Sequence, residues 1–167
     1  RVSVAAKNLD VDIIVNVQGD EPMLNPKDIA KVIQMKKQHM DCVINGFSWL
    51  STEEDPSNEN IPKIVTNANN QLLYASRSMV PGVKDEIDHE VRFKKQVCIY
   101  AFTPKELHEF FQYGRIDPCE IQEDIEILRF LLLGRKVIMV ETSPGSLAVD
   151  VTNDVSIVEN ALQNQVF

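Results

Sequence analysis

The chain has 167 residues, 44% of them hydrophobic, and no low-complexity tract, so it is long enough to bury the core of one domain. Its formal net charge of −8 excludes non-specific binding to nucleic acid or to an anionic membrane surface, both of which need a basic face. No apolar run reaches the length of a membrane span and no signal-peptide core opens the chain, so a soluble, cytoplasmic protein is expected.

RVSVAAKNLDVD, the first stretch, has no initiator methionine and starts within a helical pattern, as expected of a piece of a longer protein. DIIVNV is a continuous apolar run of the kind found in a sheet covered on both faces. In NPKDIAKVIQMKKQHM, Asn25 is placed to cap a helix, Pro26 takes its first position, and Ile29, Val32, Ile33 and Met35 lie on one side. DCVINGFSWL is the next strand, followed by the polar loop STEEDPSNEN. KIVTNANNQLLYASRS reads as two strands joined by an asparagine-rich turn, because asparagine tolerates the left-handed conformation. VPGVKDEIDHEVRF is charged and loop-like. KKQVCIYAFT is a strand leading into TPKELHEFF, where Thr103 and Glu106 have capping-box spacing. DPCEIQEDIEILRFLLLG predicts one long helix stopped by Gly134, with Ile121, Ile125, Leu128 and Leu132 in the core and Glu120, Glu123 and Asp124 on a solvated face. KVIMVE is a strand, and Thr152 is placed to cap a last helix through about Gln163. This order predicts an α/β sheet with an inserted antiparallel segment.

Cys42, Cys98 and Cys119 are odd in number, form no C-x-x-C pair, and read as reduced core thiols rather than zinc ligands or a disulfide framework. His39, His89 and His108 are scattered and expected on the surface.

The stretch IIVNVQGDEPMLNP ends the first strand on paired acids. Ligands of open α/β sheets bind beyond the carboxyl ends of the strands, so QGDEP delivers Gln18, Asp20 and Glu21 to the expected cleft edge. Oxygen ligands at a rigid strand tip suit Mg²⁺, which takes one or two carboxylates and leaves its other positions to water and phosphate. A turn in which Asp20 bonds its own backbone fits this stretch equally well. SLAVDVTND repeats the pattern, with Asp150 after an apolar stretch and before a helix start; plain helix capping is the alternative there.

VNVQGDEPML, YASRSMVP, VCIYAF, PCEIQEDIEILR and VDVTNDV, in this order along nearly the whole chain, resemble the successive motifs of the 3-deoxy-manno-octulosonate (Kdo) cytidylyltransferases, the CMP-Kdo synthetases. VNVQGDEP is the most specific of them and separates this branch from the sialic acid cytidylyltransferases. The resemblance implies a nucleotidyltransferase-like (Rossmann-like) mixed sheet flanked by helices. It implies attack of the anomeric hydroxyl of the sugar acid on the α-phosphate of CTP, giving CMP-Kdo and pyrophosphate with Mg²⁺, for lipopolysaccharide biosynthesis. Asp20 and Asp150 are then the catalytic metal ligands. Gln18 and Arg77 contact the sugar, a guanidinium there suiting its carboxylate bidentately. Tyr100 and Glu126 line the pocket, although by themselves they read as a core aromatic and a solvated helix charge. Lys63 matches a lysine position whose role stays open. The resemblance further implies one incomplete domain over residues 1–167 and a homodimer pairing through an inserted segment at about residues 75–115. The N-terminal phosphate-binding loop of the family is absent, so the chain alone is expected to be inactive.

Two pocket positions depart from the family. Gln96 stands where histidine is usual, four residues before the tyrosine, and Ile127 replaces the glutamine after the pocket glutamate. VDVTND also replaces VDTPED while keeping both aspartates. These changes bear on the sugar more than on the reaction. Three readings therefore stand: a Kdo-type cytidylyltransferase, a cytidylyltransferase for a related eight- or nine-carbon sugar acid, and a truncated non-catalytic relative serving as a dimerisation or binding module.

Overall fold

Six strands and six helices form among the residues that the computed structural model describes, which are 2–84, 91–149 and 151–164, with backbone only for 153 and 164. In chain order they are α1 (Val2–Ala6), β1 (Ile14–Val17), α2 (Pro26–Gln38), β2 (Val43–Trp49), β3 (Lys63–Thr66), β4 (Leu72–Ser76), β5 (Lys94–Phe102), α3 (Pro104–Tyr113), α4 (Pro118–Glu123), α5 (Leu128–Leu132), β6 (Val137–Glu141) and α6 (Thr152–Asn164). His89, in the charged loop, and Asp150 lie outside the described residues.

The strands form one mixed sheet in the order β4-β3-β5-β2-β6, with β1 added on β5. Only β2 and β6 pair in parallel; the other pairings are antiparallel. β5 carries β2 along one side. Along the other, β3 pairs with Lys94 and Lys95 while β1 pairs with Ile99 to Phe102, so the two strands part around Gln96 to Cys98. Opposite this fork the β2–β5 register slips: Asn45 faces Tyr100 but Gly46 faces Val97, which leaves Cys98 and Ile99 extra on β5.

The alternation of side chains along the strands feeds two cores, one on each face. Val32 and Met35 of α2 cover Ile44, Val97, Ile99 and Val140. On the other face Val43, Phe47, Phe102 and Met139 pack with Leu107, Leu128 and Phe130. Each such side chain contributes about 1.5–3 kcal/mol when fully buried. Ile14 joins one core and Ile13 and Val15 the other, as the unbroken apolar run of DIIVNV predicts. A buried ion pair, Lys36 Nζ to Glu106 Oε2 at 2.7 Å, ties the end of α2 to the start of α3.

The expected caps are largely present. Asn25 Oδ1 accepts the Lys27 N–H, and Thr103 and Glu106 form the reciprocal capping box. The β3–β4 turn is closed by Asn67 Oδ1, which accepts the N–H groups of Asn69 and Gln71, with Asn70 at φ 54° in the left-handed region. Thr152, expected as a cap, is the first helical residue of α6; the start of that helix is held by Asp154 Oδ2, which accepts the Val151 N–H at 2.9 Å.

The long helix expected from 117 to 134 is broken. Asp124 turns left-handed at φ 53° and closes α4 by donating its N–H to Glu120 O. The break separates the stripe that an unbroken helix would present: Ile125 and Leu128 are buried, whereas Ile121 and Leu132 are exposed. The expected solvated face is also wrong for two of its three acids. Glu120 is buried and receives a two-pronged bond from Arg129, Nε at 2.7 Å and Nη2 at 2.5 Å. Glu123 is drawn to the end of β4, and only Asp124 is solvated. Acid pairs of this kind are set by tertiary neighbours that periodicity does not encode. His39 and His108 are exposed as expected. Of the three free thiols, Cys42 alone is fully buried.

Candidate active site

The fork between β1 and β3 opens into a cavity of about 1370 Å³. Gln18, Asp20, Arg77, Gln96, Tyr100 and Glu126, separated by up to 108 positions in the chain, all line it. Its walls come from the QGDEP turn, the middle of β5, the 51–62 loop, the α4–α5 break and α6. None of the described helices is long and apolar enough to cross a membrane.

The paired acids have different duties. Glu21 is buried, and its two oxygens accept the Cys98 N–H and the Ser146 hydroxyl, so it clamps the turn to β5 and to the loop after β6. The Gln18 N–H donates to Cys98 O at 3.1 Å, which finishes the β1 pairing just before the chain turns away. Asp20 O accepts the Val149 N–H at 2.8 Å, so the residue before Asp150 in sequence is held against the turn. Asp20 Oδ1, in contrast, is buried with no hydrogen-bond partner. A buried carboxylate oxygen without a donor is costly and can accept a ligand; Ser48 Oγ and Glu106 Oε1 are likewise unpartnered among the described residues, but Asp20 Oδ1 belongs to a residue that lines the cavity. The donor set suits a hard divalent cation of the Mg²⁺ type, which needs one or two protein carboxylates. No group of three or more His, Cys, Asp and Glu side chains able to hold a metal is found among the described residues.

Two cations reach the cavity. Arg77 follows β4 and spends three N–H groups on carbonyls: Nε on Glu123 O at 2.6 Å, Nη1 on Glu59 O at 2.9 Å and Nη2 on Asp124 O at 3.1 Å. The carbonyls of Glu123 and Asp124 are those left open by the end of α4, so the guanidinium caps that helix. Among the described residues the other two of its five N–H groups make no hydrogen bond, although Nη2 also lies 4.0 Å from the Asp124 carboxylate. Lys63, whose role the sequence leaves open, is buried and donates to Asn58 O and Arg77 O, fixing both the 51–62 loop and the Arg77 main chain. Burial, and then the charge of Arg77, lowers the Lys63 pKa. Lys95 is the second cation, and sequence reasoning missed it. Its ammonium bonds Glu54 and Ser146 O, so it joins the 51–62 loop to the loop after β6. A lysine at a buried alternation position of an apolar strand was the available signal.

Tyr100 stacks on Phe102 with centroids 6.0 Å apart; burial, and then Cys98, raises its phenol pKa well above the usual value. Cys98 is thus a cavity residue rather than a core thiol. Burial, and then the charges of Glu21 and Asp20, keeps it protonated. Glu126 is exposed on the rim, in the segment freed by the α4–α5 break. Ile127 touches the cavity but is buried in the larger core beside Leu128 and Phe130, so it offers little surface to a ligand. Gln96 donates its Nε2 to Asn45 Oδ1 at 2.8 Å.

The 3-deoxy-manno-octulosonate cytidylyltransferase of Christiangramia forsetii is 36% identical over 157 residues, 92% of this chain and 62% of that protein. The protein of the same name from Flavobacterium johnsoniae is 34% identical over 157 residues, 92% of this chain and 64% of its own length. The chain therefore spans less than two thirds of these curated relatives. Among solved structures, a CMP:2-keto-3-deoxy-manno-octonic acid synthetase complexed with CTP matches with a TM-score of 0.86 at 25% identity, over 98% of this chain and 67% of that one. The 4-diphosphocytidyl-2C-methyl-D-erythritol synthase of Anaerococcus prevotii matches at a TM-score of 0.57 and 12% identity, over 96% of this chain and 64% of that one, a likeness of fold alone. The family model described as Cytidylyltransferase matches residues 1–138, from α1 through the start of β6 and so across most of the cavity wall, and the chain belongs to that family.

Proposed function

We propose that the protein carrying this chain transfers a cytidylyl group from CTP to the anomeric hydroxyl of Kdo, releasing pyrophosphate. The shared name of the two relatives supports the sugar acid, and the CTP held by the similar synthetase supports the nucleotide. The observation that carries the reading is the unpartnered, buried Asp20 Oδ1 at the edge of a cavity lined by Arg77 and Lys95. The reaction forms a bond from the sugar oxygen to the α-phosphorus and breaks the bond to pyrophosphate, so it depends on positioning and charge neutralisation. Asp20 and Asp150 would hold Mg²⁺, which when bound neutralises phosphate charge. Arg77, oriented by Lys63 and the end of α4, offers its two remaining N–H groups to the sugar carboxylate. Gln18, Gln96, Tyr100 and Glu126 form the rest of the sugar side. Burial of Tyr100 keeps its hydroxyl protonated and able to donate. A second copy packs, in this reading, against the segment at about residues 75–115, where Met79, Val83 and Phe111 are exposed apolar side chains.

The test is pyrophosphate release from CTP and Kdo with Mg²⁺, for the whole protein that carries this chain, the parent, and for its Asp20→Asn variant. The variant should lose about a hundredfold or more in kcat, roughly 2.7 kcal/mol of transition-state stabilisation, with its thermal unfolding unchanged. Parental turnover by the variant, or no product from Kdo or a related sugar acid with the parent, overturns the proposal.

A further inference from the structure

Asn45 is wholly buried at the register slip between β2 and β5. At the slip Asn45 Nδ2 donates to two carbonyls of β5, Val97 O and Ile99 O, each at 2.9 Å. Carbonyls only accept, so the NH₂ end of Asn45 must face them and its Oδ1 must face the other way. Gly46 makes the close approach possible: a Cβ there would lie 2.5 Å from Ile99 Cγ2. Oδ1 meets the Gln96 side chain at 2.8 Å. Another acceptor at that distance would be repulsive, so Gln96 must present Nε2 to Asn45. The amide of Gln96 therefore has one allowed orientation, fixed by two main-chain carbonyls through a buried relay.

We infer that Asn45 is a positioning residue that locks Gln96 so that its Oε1, an acceptor, is the group it presents to the cavity, and that this position selects a hydroxyl of the sugar acid that donates a hydrogen bond. The inference rests on the proposed reading of the cavity. It assigns the substrate carboxylate elsewhere, because a carboxylate against Oε1 would place acceptor on acceptor. It also makes the acceptor independent of pH, since neither amide titrates.

The test uses the parent protein, Gln96→Met and Asn45→Ala with Kdo and with analogues in which each hydroxyl is replaced singly by hydrogen or by fluorine. Fluorine accepts weakly and never donates. For one hydroxyl, both replacements should lower kcat/KM of the parent about tenfold, and Gln96→Met should be about tenfold slower on Kdo while losing the discrimination at that hydroxyl. Asn45→Ala frees the Gln96 amide to turn, so the fluorine analogue should recover relative to the hydrogen analogue, a selectivity change that mere loosening of the fold does not produce. A readout independent of activity is the Gln96 side-chain amide in ¹⁵N spectra of the parent: one Nε2 proton should be protected from exchange, and in Asn45→Ala that protection should vanish. Equal, rapidly exchanging Nε2 protons in the parent, or Gln96→Met with parental kcat/KM on Kdo, overturns the inference. A protected proton in a protein that uses no sugar acid supports the lock by Asn45 and refutes the proposed function instead.

Discussion

Under the proposed function, replacing Glu123 with glutamine should weaken binding of the sugar acid more than it slows turnover, because Glu123 holds the start of Arg77. Its carboxylate accepts the Tyr74 hydroxyl at 3.1 Å, the Ser76 hydroxyl at 2.8 Å and the Arg77 N–H at 2.8 Å, while its own carbonyl accepts Arg77 Nε at 2.6 Å. Glutamine keeps one acceptor oxygen and turns all three of these charge-assisted bonds into neutral or lost ones. A bond to a charged group contributes about 1.5–3 kcal/mol and a neutral one about 0.5–1.5, and the site is half open to solvent, so a loss of about 1–2 kcal/mol is expected. Urea denaturation at neutral pH measures that loss directly. A displacement of Arg77 with about 1.4 kcal/mol less binding should raise the KM for the sugar acid about tenfold with kcat little changed. The pH dependence has a definite sign. Burial raises the Glu123 carboxyl, but the Arg77 N–H, the Ser76 and Tyr74 hydroxyls and the Arg77 charge together lower it below the usual 4.5. A lowered carboxyl stabilises the fold above the unfolded value, and that stability is lost as pH falls through the folded value. The stability gap between parent and variant should therefore close on acidification below 4.5. A gap that widens in acid, or a variant with parental stability and parental KM, would refute the reasoning.

Gly46→Ala should destabilise by about 1–3 kcal/mol in thermal or chemical unfolding, because the added Cβ would lie 2.5 Å from Ile99 Cγ2 and 3.1 Å from Thr142 Cγ2. Arg129→Met leaves the buried Glu120 carboxylate unpaired and should cost about 3–5 kcal/mol, whereas replacing both partners with apolar residues should recover most of that loss in the same denaturation assay. Lys63→Met fits the space but frees Asn58 O and Arg77 O; faster amide exchange in the 51–62 loop and a several-fold higher sugar KM are expected.

What the sequence made legible is what local chemistry decides. Alternating and continuous apolar runs placed all six strands, and Asn25, Pro26, Thr103 and the Asn67–Asn70 turn marked ends that their own side chains close. The α4–α5 break was not legible, since Asp124 carries no glycine or proline signal and its left-handed turn is held by partners outside the helix, 9 and 47 positions away. Those partners are Arg77, which takes the carbonyl, and Arg115, which pairs with the carboxylate at 2.5 Å. A helical period reads only neighbours three and four residues away, so an end fixed from 47 positions off leaves no trace in it.

The site divides along the same line. Strand ends and a resemblance brought Gln18, Asp20, Arg77, Gln96, Tyr100 and Glu126 to one expected cavity, and the structure gathers them there. It does not follow from QGDEP which acid is structural. Both carboxylates leave the same strand tip, and the choice is made by what lies opposite each. The Cys98 N–H and the Ser146 hydroxyl wait for Glu21, and both belong to segments more than 70 positions away. Among the described residues nothing donates to Asp20 Oδ1, so that oxygen is left unanswered by its own fold. A turn that served only to end a strand would satisfy both acids, at a gain of about 1 kcal/mol for each added bond. One acid satisfied and one withheld is the arrangement that the proposed function requires, in which the first holds the turn rigid while the second is left for a cation.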